Sequence, residues 1–184
     1  MRSLTLPNKI SLSRILFILP LVFCITQVQH NDSYRYACLF IMMLIALSDV
    51  LDGYLARKRN EITKLGTYLD PFADKIVIIT AYIMLSSERV WPEPRFPVWI
   101  PALIVCNDFI LILGTIALLY FTGKVNCQPV IIGKISTCLQ VTAIIFVIVG
   151  NHVPYFVLIV LWWLTAILTS LSGIYYIYRG VRQL

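Results

Sequence analysis

The sequence predicts an all-α integral membrane protein of six transmembrane helices, and three observations carry that expectation. Of 184 residues, 59% are hydrophobic and 13% charged, with a mean hydropathy of +0.84; soluble domains average roughly 45–50% apolar and about 25% charged residues. The apolar residues fall in long runs, each matching the roughly 17–25 residues that cross a bilayer as a helix. Six such runs with short connections use up residues 1–184, which are therefore expected to form a single membrane domain with no soluble domain beside it. The composition excludes a disordered or fibrous chain. A formal net charge of +6 fits basic loops against a lipid bilayer with anionic headgroups better than a nucleic-acid partner.

Taken in order, residues before about 12, with Arg2 and Lys9, are expected to form a short N-terminal interfacial segment. The first helix spans about 12–29; its Ile15 to Ile25 run lacks a small-residue cleavage site, so it is expected to be retained rather than removed as a signal peptide. His30-Asn31-Asp32 breaks the chain before helix two at 35–57, and the charged Arg57 to Lys64 stretch separates it from helix three at 66–87. Trp91-Pro92-Glu93-Pro94 precedes helix four at 96–121, Gly123 to Pro129 precedes helix five at 130–150, and Gly150 to Pro154 leads into helix six at 153–178. Cys24, Cys38, Cys106 and Cys138 lie in apolar runs and are expected to be packing residues. Trp91, Trp99, Trp162 and Trp163 are expected to serve as interface anchors and packing.

The basic residues orient these spans. Arg2, Lys9, Arg14, Arg57, Lys58, Arg59, Lys64, Lys124, Arg179 and Arg182 fall on one side, against Arg35, Arg89 and Arg95 on the other. Both termini are therefore expected in the cytoplasm. His30 and His152 fall on the opposite side, which argues against histidine catalysis.

The informative residues are charges inside the spans: Asp49, Asp52, Asp70, Asp74 and Asp108, with Lys134 near the start of helix five. A carboxylate deep in a bilayer costs roughly 2.5–3.5 kcal/mol on insertion scales. Asp49 and Asp52 share a helix face at i, i+3, and Asp70 and Asp74 share one at i, i+4. Helices two and three run antiparallel across a short loop, so both pairs lie at similar depth and are expected to face each other as neighbours. Only Lys75 and Arg57 lie near them as cations. Such a cluster is tolerable with bound divalent metal, and an all-oxygen donor set suits Mg²⁺, Mn²⁺ or Ca²⁺ rather than zinc. Gly53, Ala56 and Gly66 lie among these carboxylates and let a ligand approach the backbone closely. The Arg57 guanidinium suits phosphate oxygens. Together these features point to phosphoryl transfer on a lipid. A divalent-cation transporter is the alternative from another class; it explains the acidic residues but not the small residues and arginine between them.

Asp49-Val50-Leu51-Asp52-Gly53-Tyr54-Leu55-Ala56-Arg57, followed by Gly66, Asp70 and Asp74, reproduces the pattern D-x2-D-G-x2-A-R-x8-G-x3-D-x3-D over residues 49–74. The chain thereby resembles the CDP-alcohol phosphotransferase (CDP-alcohol phosphatidyltransferase) family. Leu6-Pro7-Asn8 with Ser11 and Arg14, and Gly133-Lys134 with Thr137 and Gln140, are most similar to elements of its bacterial phosphatidylglycerophosphate synthase branch. The resemblance implies two divalent cations, Mg²⁺ or Mn²⁺, held by Asp49, Asp52, Asp70 and Asp74, with Asp74 also the general base. It implies that Gly53, Ala56, Arg57, Gly66 and Asn8 hold CDP-diacylglycerol, that CMP is released, and that the enzyme is a homodimer in the bacterial inner membrane with its active site facing the cytoplasm.

The acceptor alcohol is expected at Arg14, Lys134, Thr137, Asn107 and Asp108. Here the chain departs from the branch: Asn107-Asp108 stands where Arg-Glu is typical, and Ser136 where a second lysine is typical. Glycerol 3-phosphate, giving phosphatidylglycerophosphate, is the expected acceptor; phosphatidylglycerol, giving cardiolipin, is the alternative.

Overall fold

Prolines and polar breaks set the helix boundaries of this chain. The computed structural model describes the backbone of residues 6–59, 64–122 and 131–181, and the side chains of 16–48, 75–114, 131–150 and 152–180. These residues form six α-helices and no strand: α1 (Leu6–Gln27), α2 (Tyr34–Arg59), α3 (Lys64–Ser86), α4 (Trp99–Thr122), α5 (Ile131–Val149) and α6 (Tyr155–Val181), with a 3₁₀ turn at Gly150–His152 before α6. α6 starts directly after Pro154, and Pro101 falls in the first turn of α4, where a missing N–H breaks no helical bond. The same rule moves the start of α1. Pro7 is tolerated in a first turn, so the helix begins at Leu6, and residues 6–11, expected as a separate interfacial segment, are its opening turns.

Helix contacts define a ring. α1 packs against α2 and α3, and α5 also packs against α2 and α3. Among the described residues α2 and α3 are each flanked by both α1 and α5. α4 and α6 complete the bundle: α4 packs on α3 and α6, and α6 packs on α5.

The apolar core lies toward the end where α1, α3 and α5 finish. Leu21, Ile25, Met42, Leu85, Ile100 and Ile148 are fully buried there, around Tyr82, Trp91 and Phe96. The Tyr82 and Phe96 rings lie 4.4 Å apart, and Phe96 and Trp162 6.1 Å apart. Trp91 and Trp162 are thus core residues, whereas Trp99 and Trp163 are exposed and pack against each other at 5.2 Å. The cysteines divide similarly: Cys24 and Cys38 are buried, but Cys106 and Cys138 are exposed on the outer faces of α4 and α5 and are not core packing residues. Their neighbours in sequence are as apolar as those of the buried pair, so hydropathy does not separate the two cases.

Arg35 ties the connections at this end together. Its guanidinium pairs with Asp32, donates to the carbonyls of Glu93 (3.3 Å) and Ile148 (3.5 Å), and lies 4.8 Å from the centre of the Trp91 ring. Arg95 pairs with Glu88 and Glu93, and Gln29 Nε2 donates to the Glu88 carbonyl at 3.0 Å. Gly150 permits the close approach of Arg35: its φ is +67°, and a Cβ there would collide with Arg35 Nη1. Gly150→Ala is therefore expected to cost about 1–3 kcal/mol from the left-handed backbone alone, read as a lower unfolding temperature in detergent. Gly114→Ala, where a Cβ meets nothing within 4 Å, is the control and should not lower it.

Candidate active site

The chain path places both acidic pairs at one end of the bundle. Only residues 60–63 separate α2 from α3, so the last turns of α2 and the first turns of α3 lie at the same end. Asp49 lies ten residues before the end of α2 and Asp74 ten residues after the start of α3, about 15 Å along each helix. Asp52 and Asp70 lie seven and six residues from the same ends, about 10 Å in. Equal depth is thus a property of the backbone. The expected facing of the two pairs rests on side chains outside the described residues. Gly53, Ala56 and Arg57 lie on the final turns of α2, and Gly66 on the first turn of α3. The side chains of all these residues, and those of Asn8 and Arg14 on α1, lie outside the described residues.

The interior at this end is polar. On α5, Gly133, Ser136, Gln140, Ile144 and Val147 recur at helical spacing, changing from small and polar to apolar toward the opposite end. The face of α6 against it changes in the matching sense, from Leu158 and Trp162 through Thr165 and Thr169 to Ser172 and Gly173. Ser136 and Thr169 share a hydroxyl–hydroxyl bond of 3.0 Å, and Gln140 Nε2 donates to Thr169 Oγ1 at 3.0 Å. The Tyr82 hydroxyl donates to the Gln140 carbonyl at 3.1 Å, linking α3 to the network. Ser136, Gln140 and Thr169 are thus satisfied by one another, as buried polar groups require, whereas the buried Thr165 hydroxyl and Trp162 indole N–H on the same face have no hydrogen-bond partner.

The residues expected to grip an acceptor occupy varied surroundings. Lys134 is exposed on the first turn of α5. The Thr137 hydroxyl donates to the Gly133 carbonyl one turn back, at 3.0 Å, and so bonds to its own helix. Asn107 packs against α6 at Gly173, where a Cβ would collide with its Oδ1. Asp108 is buried, with 2% exposure, and pairs with Lys75 of α3. Sequence reasoning placed Lys75 beside the aspartates as a nearby cation, but its partner in the fold is Asp108. It also missed Thr169 and Ser172 on α6. A polar stripe at spacing 165, 169, 172 on an otherwise apolar helix was the available signal. Among the described residues no three His, Cys, Asp or Glu side chains cluster as metal ligands; Asp49, Asp52, Asp70 and Asp74 are not in that set.

Comparison with known proteins bears on the same segments. A family model described as CDP-alcohol phosphatidyltransferase matches residues 4–171. The CDP-diacylglycerol–glycerol-3-phosphate 3-phosphatidyltransferase of Aquifex aeolicus is 33% identical over 137 residues, covering 73% of this chain and 70% of that protein. The protein of the same name from Wigglesworthia glossinidia brevipalpis is 31% identical over 183 residues, covering 98% of this chain and 97% of its own length. Human cardiolipin synthase (CMP-forming) is 29% identical over 195 residues, covering 96% of this chain and 62% of that protein.

Proposed function

This chain belongs to the CDP-alcohol phosphatidyltransferase family, and from that premise we propose that it transfers the phosphatidyl group of CDP-diacylglycerol to glycerol 3-phosphate, releasing CMP. The observation that carries the reading is the complete 49–74 signature, borne at matched depth on two consecutive helices. The relative that covers nearly all of both chains is named for this reaction.

Asp49, Asp52, Asp70 and Asp74 form a donor set of four carboxylates, which fits Mg²⁺ or Mn²⁺. Divalent cations bound there would neutralise charge on the phosphates and on the departing CMP. Gly53, Ala56 and Gly66 let the nucleotide lie against the helix backbones, while Arg57 holds its phosphate oxygens, with Asn8 on α1 assisting. Asp74 accepts the proton of the acceptor hydroxyl. The freed oxygen attacks the phosphorus that carries diacylglycerol, and the bond from that phosphorus to CMP breaks, with CMP keeping the electron pair. Lys134 and Arg14 supply positive charge for the acceptor's phosphate.

Six spans with both termini in the cytoplasm remain the topology that accompanies this reading. α5 and residues 155–180 of α6 are long and apolar enough to cross a membrane by length and composition. Phe156, Leu19 and Phe40 are among many large apolar side chains exposed on the outer faces, which suits lipid contact. At the end opposite the signature, Arg35 and Arg95 pair with Asp32, Glu88 and Glu93, so the unbalanced positive charge lies at the signature end, as an inner-membrane enzyme facing the cytoplasm requires. A homodimer is carried from the family resemblance.

Phosphatidylglycerol is the second acceptor to consider, favoured by Asn107 and Ser136 standing where cations are typical and by the likeness to cardiolipin synthase. Purified protein given CDP-diacylglycerol, Mg²⁺ or Mn²⁺ and each acceptor separately decides between them. CMP release with glycerol 3-phosphate is the expected result; release with phosphatidylglycerol alone would overturn it.

A further inference from the structure

We propose that Lys75 and Asp108 are positioning residues for the reaction centre: their ion pair sets the rotation of α3 immediately beside Asp74, and it keeps the Lys75 ammonium away from the carboxylates of α2 and α3. The inference rests on the phosphatidyltransferase reading for its consequence, but the pair itself is a feature of the fold. Lys75 Nζ contacts Asp108 Oδ1, joining α3 to α4. The Asp108 side chain is 3% exposed and that of Lys75 35% exposed, so the carboxylate lies inside the bundle and the lysine reaches in to it.

Two consequences follow from helix geometry. Successive residues are about 100° apart around an α-helix, so with Lys75 directed at α4, position 74 lies about 100° and position 70 about 140° around α3 from that contact. Positions 70 and 74 thus fall on one side of α3, and a rotation of α3 would carry both with it. Lys75 also follows Asp74 directly in the chain. An unpaired ammonium there would be drawn to the acidic pairs and compete for the charge they hold for their ligand; Asp108 engages it instead. A buried carboxylate would otherwise require its own counter-ion, and Lys75 is the one the structure provides.

The test is a double-mutant cycle in the purified enzyme, with Lys75→Met, Asp108→Asn and the double substitution. Misplacement of a reacting group by about 1 Å costs on the order of 10²-fold. Each single variant is therefore expected to lose about tenfold or more in kcat while its KM for CDP-diacylglycerol stays within about twofold of wild type. The double variant, with neither a stranded carboxylate nor a free ammonium, is expected to recover at least about tenfold over the weaker single. Two results would overturn the proposal: a Lys75→Met enzyme with wild-type kcat, or a double variant no better than its weaker parent, which would mean that Lys75 acts on substrate directly. If either single variant fails to fold, the exchange Lys75→Asp with Asp108→Lys keeps the question open to measurement, because restored unfolding temperature and kcat support the pair and an inactive folded exchange opposes it. Wild-type protein that releases no CMP with any acceptor would instead count against the phosphatidyltransferase reading, and the cycle measured on unfolding temperature alone would still report whether the two charges interact.

Discussion

Asp74→Asn is expected to lower CMP release by about 10³-fold or more, because the substitution removes a general base, a change worth typically 10²–10⁴, and weakens a metal ligand at once. The exchange keeps the shape of the side chain and removes only its charge. An ionised carboxylate in an apolar span costs roughly 2.5–3.5 kcal/mol on insertion scales, so the variant should unfold in detergent at the same temperature as wild type or higher when divalent ions are absent. That sign separates catalysis from folding. Three of the four aspartates remain in the variant, so binding of CDP-diacylglycerol, followed by displacement of a labelled nucleotide, should persist at reduced affinity. Turnover within about tenfold of wild type would show that another group takes the proton.

Removing divalent ions with a chelator is expected to reduce CMP release to background, with recovery on adding Mg²⁺ or Mn²⁺. The donor set is all oxygen and carries four negative charges in a short stretch of two helices. Such a set favours hard cations, so Zn²⁺ at equal concentration should restore less. Stability supplies an independent readout. A ligand at 100 times its dissociation constant stabilises the folded state by about 2.7 kcal/mol, so millimolar Mg²⁺ should raise the unfolding temperature of wild type and raise it less for Asp74→Asn. Full activity in the presence of chelator would contradict the role given to all four aspartates.

Much of the fold was legible because the relevant signals are local. The apolar runs and their breaks predicted helices at 35–57 and 130–150, against observed helices at Tyr34–Arg59 and Ile131–Val149. The spacing of Asp49, Asp52, Asp70 and Asp74 predicted two acidic faces at equal depth, and the backbone bears out the depth. The start of α1 was misplaced because Pro7, Asn8 and Lys9 resemble a loop in composition, whereas the first turn of a helix carries such residues readily. Burial was harder to read. In a soluble helix the polar face marks the outside, but in an apolar bundle the lipid-facing and inward-facing sides are alike in hydropathy. Buried Cys38 and exposed Cys138 therefore look the same in sequence, as do buried Trp162 and exposed Trp163.

The sequence by itself determined the helical class, the order of the helices, and the signature over residues 49–74 that marks the family. Those properties depend on the identity and spacing of residues near one another in the chain. Only the tertiary structure decided that α1 and α5 each pack on both α2 and α3, that Lys75 answers Asp108, and that Arg35 binds the connections at its end into one cap. These depend on which helices touch, and packing between apolar helices is chosen by the fit of small residues and the pairing of a few polar groups, which is a property of two surfaces together and is written in neither one alone.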